Sequence, residues 1–197
     1  TTDRMLHFGD CDISGTAYYP AYLNILNGVV EEFWAHIGWP WHEIIWNERW
    51  GTPTVHLTCD FSKPSFFGDT LTFRLTILKV GKSSVRLRHT INCGEEHRWS
   101  VEQVLAASWL DKHTSMPWPD AVKAKLSERA QALIERTIGD TLNAYRDYRV
   151  RVRGVLPRTA DDHCRHLREL LPIEDALSAL TPDRAGRLYL DYTERAN

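Results

Sequence analysis

The residues best placed to do chemistry in this chain stand at its beginning: His7-Phe8-Gly9-Asp10-Cys11-Asp12-Ile13-Ser14-Gly15-Thr16-Ala17-Tyr18-Tyr19-Pro20. Two carboxylates and two glycines lead directly into a long apolar-periodic segment. A helix N-terminus offers free backbone N–H groups and the positive end of its dipole, which polarise a carbonyl or hold an oxyanion. A carboxylate a few residues upstream can attack that carbonyl or activate water against it. As a bare pattern, Gly-Asp-x-Asp-x-x-Gly reads equally well as a tight turn whose Asp side chains cap the chain.

The elements that would hold these groups follow from periodicity. From Pro20, the apolar residues Tyr22, Leu23, Ile25, Leu26, Val29, Val30, Phe33, Trp34 and Ile37 recur at helical spacing, and Gly38 ends the run. Pro20 suits a first helical turn, where its missing N–H costs nothing. The helix is apolar over much of its circumference, which predicts burial. Met5–Phe8 reads as a short first strand, and residues 39–50 as a short helix or irregular turn closed by Gly51 and Pro53. Four segments rich in Val, Thr, Leu, Ile and Trp then predict strands: Thr54–Phe61, Thr70–Val80, Ser83–Asn92 and Arg98–Leu110. Phe67-Gly68-Asp69, Val80-Gly81-Lys82 and Cys93-Gly94-Glu95 are short enough to close antiparallel hairpins. A long helix followed by such strands is an α+β arrangement, a curved sheet around a helix.

Pro117 and Pro119 close the sheet, and Asp120–Arg136 reads as a mixed-charge helix. Tyr148–Val152 alternates like a strand. Thr159–Leu171 reads as a polar helix with Thr159 as N-cap, and Pro172, Pro182 and Gly186 break the remainder. The expected division is a domain over residues 1–120 and a C-terminal extension over 121–197.

At 197 residues, with 43% hydrophobic and 25% charged content, the chain can bury a sizeable core. A net charge of −2 gives no argument for nucleic acid or a membrane surface. No apolar run approaches the ~18–20 residues that span a bilayer, and Thr-Thr-Asp-Arg-Met-Leu does not read as a signal peptide. Cys11, Cys59, Cys93 and Cys164 are scattered, which suits reduced thiols in the cytoplasm. Asp161-Asp162-His163-Cys164-Arg165-His166 would place Asp162 and His166 one helical turn apart. Without a complementary ligand pair it reads as a solvated helix face, and no metal is expected.

Three blocks, Phe8–Leu26, Gly38–Val55 and Cys59–Phe73, resemble in order and spacing the 4-hydroxybenzoyl-CoA thioesterase family of hotdog-fold enzymes. The resemblance runs from about Leu6 to Pro119. It implies a hotdog fold, an antiparallel curved sheet wrapped around a long central helix, here with a helical C-terminal extension. It implies an acyl-CoA thioesterase with Asp12 as nucleophile or general base and the Tyr19 backbone N–H polarising the carbonyl. Gly15 would let the turn approach the substrate, and Asp10 would serve as a structural cap. No cofactor is implied, coenzyme A being part of the substrate. Lys79, Lys82, Ser83 and Ser84 fall where the family contacts the CoA phosphates.

Asn27 stands where the family has an acid that bonds the substrate's phenol hydroxyl. An amide both donates and accepts, which points to a different para substituent or none. Five of the eight tryptophans, Trp34, Trp39, Trp41, Trp46 and Trp50, are candidates to line an aryl pocket, at most two of them touching substrate. The family implies a homodimer or homotetramer with sites between subunits. The alternative is a non-catalytic acyl-CoA-binding or scaffold protein of the same fold, in which the extension does the work. A hotdog hydratase would need Asp-x-Asn-Pro-x-His, which the chain lacks.

Overall fold

The computed structural model describes residues 1–151 and 154–170, and the chain divides into two compact units, Thr1–Ala130 and Gln131–Asn197. In the first unit a short strand β1 (Thr2–Met5) leads through a 3-10 turn at Phe8–Asp10 to the helix α1 (Tyr19–His36). A short helix α2 (Trp41–Trp46) and a two-residue strand β2 (Trp50–Gly51) follow. Then come β3 (Thr54–Phe61), β4 (Thr70–Val80), β5 (Ser84–Cys93), β6 (Glu96–Ala106), and the short strands β7 (Ser108–Trp109) and β8 (Thr114–Ser115). Both ends of β3 and β4 fall where their Val-, Thr- and Leu-rich composition, bounded by turn residues, places them. The first strand ends three residues earlier than expected, because Phe8–Asp10 coils into a 3-10 turn.

The main sheet is antiparallel in the order β1-β4-β5-β6-β3; β2, β7 and β8 form a second, small sheet. Hairpins at Gly81 and Gly94 join β4 to β5 and β5 to β6. The turn residues at Phe67-Gly68-Asp69 do not close a third hairpin. β3 pairs with β6 on one side of the sheet, whereas β4 pairs with β1 and β5. Residues 62–69 therefore cross from one edge region to the other, past the start of α1.

One side of α1 packs on the sheet. Tyr22, Leu26 and Val29 meet Leu71, Phe73, Ile91, Trp99 and Val101 near its start. Val30, Trp34 and Ile37 meet Ile77, Val85, Leu87, Leu105 and Trp118 near its end. Each fully buried large apolar side chain contributes roughly 1.5–3 kcal/mol. Gly38, at φ +103°, ends the helix in the left-handed conformation that a Cβ would strain. The expected burial holds for one side of α1 in the single chain, while Asn24, Asn27, Glu31 and Ala35 form an exposed stripe. Residues at i, i+3, i+7 and i+11 share one helix face.

Between the two apolar clusters, the core face carries a buried polar pair. His89 is fully buried, its Nε2 lies 3.1 Å from Gln103 Oε1, and Gln103 Nε2 donates to Thr54 Oγ1 at 2.8 Å. Burial lowers the His89 pKa from 6.5 to about 4, partly offset by Gln103. Between those values the unfolded chain binds a proton that the native chain refuses, so stability falls as pH drops from about 6.5 towards 4. The full loss is of order 3 kcal/mol. Melting temperature measured across that range should fall for the wild type and flatten in His89→Gln.

The helix after the sheet is longer than the charge pattern suggested. α3 spans Asp120–Arg151, so it passes Gly139, and Tyr148–Arg151 is helical rather than a strand. The five alternating residues Tyr148–Val152 are too few to tell a strand from a turn of helix. Val122 and Leu126 on its first turns belong to the core of the first unit, which therefore runs beyond residue 120. In the second unit, Ile138, Leu142 and Tyr145 are buried, as are Ala160 and Leu167 of α4 (Pro157–Leu170). Arg146 pairs with Asp161 there, and Cys164 Sγ donates to the Leu142 carbonyl at 3.3 Å. Pro157 opens α4 at its first position, so Thr159 lies inside the first turn instead of capping it. Val152, Leu171, the breakers Pro172, Pro182 and Gly186, and the side chain of His166 lie outside the described residues.

Candidate active site

The acidic turn folds back on itself. Cys11 pairs with Ala17 across a bridge, Asp12 N–H donates to Thr16 O at 2.9 Å, and Gly15 N–H donates to Asp12 O at 2.9 Å. Gly15 sits at φ +78°, a conformation open to glycine at little cost. The Asp12 side chain accepts two hydrogen bonds at Oδ1, from Ser14 N–H at 2.8 Å and from Ser14 Oγ at 2.6 Å. The Ser14 hydroxyl and then its N–H hold the Asp12 carboxyl below its ordinary pKa, so this exposed side chain is ionised at neutral pH. The neighbouring acid does something else. Asp10 Oδ2 accepts the His7 N–H at 2.8 Å and so caps the 3-10 turn.

The first turn of α1 stands beside this loop. Tyr18 N–H donates to Asp10 O at 3.3 Å, and the Ala21 and Tyr22 N–H groups both reach Tyr18 O. Pro20 has no N–H to offer. In this turn, among the described residues, the Tyr19 N–H alone has no acceptor. The sequence thus leaves one free donor at the positive end of an 18-residue helix, seven positions along the chain from an ionised carboxylate.

The crossing segment 62–69 joins the two parts. Ala17 N–H donates to Ser65 O at 2.9 Å, Phe67 N–H donates to Gly15 O at 3.0 Å, and Thr16 bridges Phe66. Ser65 N–H donates to the phenol oxygen of Tyr22 at 3.1 Å, in the buried interior. An open cleft of about 310 Å³ lies alongside, walled by Tyr19 and Tyr22 of α1 and by Phe61, Ser62, Lys63 and Pro64. Asp12 stands on the adjoining turn, not in the cleft wall. Tyr22 and Phe61 stack at 5.8 Å, and both rest on Trp99.

These walls escaped the sequence reading. Their signal was present in the block Cys59–Phe73, whose aromatic and proline residues fix the cleft. Asn27 lies on the exposed stripe of α1, two turns beyond Tyr19. Trp34 and Trp50 are core residues, packed with Trp118 at ring separations of 5.7 and 6.1 Å. They cannot line a pocket. Trp39 and Trp41 are partly buried against that core, and Trp46 is exposed.

Lys79, Lys82, Ser83 and Ser84 are not brought to Asp12 within one chain. Lys82 and Ser83 lie in the β4–β5 turn, where their carbonyl oxygens accept the Trp118 and Ala107 N–H groups, while Lys79 is near the end of β4 and Ser84 begins β5. Asp12 and Tyr19 lie near the opposite end of the sheet, where Leu6 N–H meets Asp69 O. The eleven residues of β4 separate those ends by about 30 Å.

Residues 6–126 match the family model described as the thioesterase-like superfamily. The chain is 30% identical over 88 residues to the 1,4-dihydroxy-2-naphthoyl-CoA hydrolase of Acaryochloris marina, covering 45% of this chain and 64% of that protein. It is 28% identical over 95 residues to the 4-hydroxybenzoyl-CoA thioesterase of a Pseudomonas species, covering 47% and 67%. The chain therefore spans a little under two thirds of the first relatives it matches. Among solved structures, a gentisyl-coenzyme A thioesterase superposes with a TM-score of 0.59 at 24% identity, covering 64% of this chain and 99% of that one. A Staphylococcus aureus protein solved in complex with CoA superposes with a TM-score of 0.63 at 15% identity, covering 66% and 82%. At these identities the structural likeness shows the hotdog fold alone.

Proposed function

Because the chain belongs to the thioesterase-like superfamily, we propose that it hydrolyses acyl-CoA thioesters, with an aryl or similarly bulky acyl group preferred. Two observations support this reading: Asp12 is ionised on the turn that leads into α1, and the Tyr19 N–H in the first turn of that helix is free. The N–H polarises the thioester carbonyl, and Asp12 attacks its carbon. The C–S bond breaks, CoA leaves as the thiolate, and an acyl–aspartyl anhydride remains. Water then adds to the anhydride, freeing the acid and restoring the carboxylate. General-base attack is the other route, in which the same carboxylate takes the proton of a water that adds to the carbonyl. Tyr22 and Phe61 offer aromatic surface for an aryl group or the pantetheine arm.

The proposed assembly is a homodimer, or a tetramer of two such dimers. Strand β3 is an open edge bearing exposed Val55, Leu57 and Phe61, and the stripe of α1 is uncovered. Two β3 strands paired antiparallel would set the Phe61 end of one copy beside the Thr54 end of the other. The β4–β5 turn lies at that Thr54 end, since Thr54 and Val85 both pair with Leu105. Lys79, Lys82, Ser83 and Ser84 of the second copy would then serve the first copy's thioester as CoA-phosphate contacts. All four cysteines are free, which supports a reducing compartment such as the cytoplasm.

Release of free thiol from a panel of acyl-CoA esters tests the reading. Benzoyl-, hydroxybenzoyl- and dihydroxynaphthoyl-CoA should turn over faster than acetyl- and palmitoyl-CoA. Binding of these esters without hydrolysis of any would favour the non-catalytic alternative. Asn27 refines the expectation. If its amide faces the ring, Asn27→Asp should shift the kcat/KM ratio of 4-hydroxybenzoyl-CoA to benzoyl-CoA upwards by about tenfold, an acceptor then meeting the phenol donor. An unchanged ratio would place Asn27 away from the acyl group.

A further inference from the structure

We infer that Arg98 is a positioning residue for the proposed hydrolysis, acting through the crossing segment 62–69 on the spacing between Asp12 and the Tyr19 N–H. The inference rests on the reading of those two groups as the reacting pair. Its basis is a bulge in β6. The pairing with β5 passes from Ile91↔Trp99 to Asn92↔His97, which leaves Arg98 without a partner in the ladder. A bulge re-aims the side chain it carries. The Arg98 carbonyl accordingly turns away from β5 and accepts the Ser62 and Lys63 N–H groups, at 2.9 and 3.0 Å.

The guanidinium, with only 12% of the side chain exposed, holds both ends of the segment. It donates to the Pro64 carbonyl through Nη1, and its Nη2 lies 3.4 Å from Asp69 Oδ2 and 3.2 Å from Glu96 Oε2. Asp69 in turn accepts the Phe66 N–H at 2.9 Å. Between these anchored ends, Ser65, Phe66 and Phe67 make the contacts that set Gly15, Thr16, Ala17 and Tyr22. Gly15–Ala17 is the stretch of chain that separates Asp12 from the helix start. A displacement of about 1 Å in such a pair costs on the order of 100-fold in rate. Arg98 bonds neither Asp12 nor the Tyr19 N–H, and its hydrogen bonds to the cleft wall are to the backbone of Ser62, Lys63 and Pro64, so its effect must travel through the segment it staples.

The test compares the full chain with Arg98→Ala and Arg98→Lys, using benzoyl-CoA as probe. Arg98→Ala should lower kcat by about 10- to 100-fold while KM changes by less than about threefold. Arg98→Lys should recover part of that loss, since one ammonium can keep one of the two anchors. Amide hydrogen exchange should rise at Ala17 and Phe67 in Arg98→Ala and stay as in the wild type at Leu87 and Val101. Unchanged kcat, or lost kcat with unchanged exchange at Ala17 and Phe67, would overturn the inference. If the wild type proves inactive on every aryl-CoA ester, the proposed function fails, while the exchange comparison still decides whether Arg98 holds the loop. Should Arg98→Ala fail to fold, Asp69→Asn, which weakens the same staple, takes its place with the same readouts.

Discussion

Asp12→Asn is expected to leave the fold intact and to slow thioester hydrolysis by at least about 100-fold. An amide oxygen at the same position still accepts the Ser14 N–H and hydroxyl, so the turn between Cys11 and Ala17 keeps its shape. What disappears is the negative charge, and with it both the nucleophile and the base. Asp10→Asn is the matched control. Its carboxylate is engaged by the His7 N–H, a bond that an amide oxygen can also accept, and its turnover should stay close to wild type. The two variants are compared by kcat/KM on an aryl-CoA ester and by circular dichroism. Near-normal turnover in Asp12→Asn would remove Asp12 from the chemistry and turn attention to Asp10.

Trp34→Ala is expected to destabilise the first unit by about 3–5 kcal/mol, the usual cost of emptying a large buried aromatic site. Trp34 is fully buried and meets Phe33, Trp50 and Trp118 at ring separations of 5.7–6.1 Å. No smaller side chain fills that volume without leaving a void. A melting temperature lower by roughly 10 °C or more would report the loss. Trp46→Ala, at an exposed site, should stay within about 0.5 kcal/mol of wild type. A Trp34→Ala protein with unchanged melting but altered acyl preference would place Trp34 at the substrate and contradict its assignment to the core.

Local patterns carried the elements a long way. Strand-forming composition between turn residues located β3 and β4 to the residue, and Pro20 and Gly38 bracketed the helix, because each of these signals acts through the backbone of its own neighbours. The separate roles of Asp10 and Asp12 came from the resemblance instead, since the local pattern read equally well as a turn capped by both. Pairing partners are another matter. Phe67-Gly68-Asp69 has the composition of a hairpin turn, yet composition specifies how a chain bends and not which strand it meets next. The crossing of residues 62–69 depends on β4 pairing with β1, some 65 positions earlier in the chain. Hence Phe61, Lys63 and Pro64 stood in a block that the resemblance had marked, while nothing in their own neighbourhood showed that they wall a cleft.

The Lys82 turn illustrates the same limit in a different way. Its position between two strands was plain, but whether that end of the sheet lies near Asp12 depends on strand direction and on a second copy of the chain. The exposed stripe of α1 was within reach of periodicity, since Asn24, Asn27, Glu31 and Ala35 share a face. The excess of apolar residues on the other faces hid it.

The central claim is that a carboxylate beside a helix N-terminus acts on a thioester carbonyl. A single turnover of 4-hydroxybenzoyl-CoA, with enzyme in excess over ester, measures that step apart from substrate binding and product release. Wild type should release one equivalent of free thiol per ester, while Asp12→Asn should bind the ester and release thiol at least about 100-fold more slowly. Equal rates of thiol release from the two proteins would contradict the account.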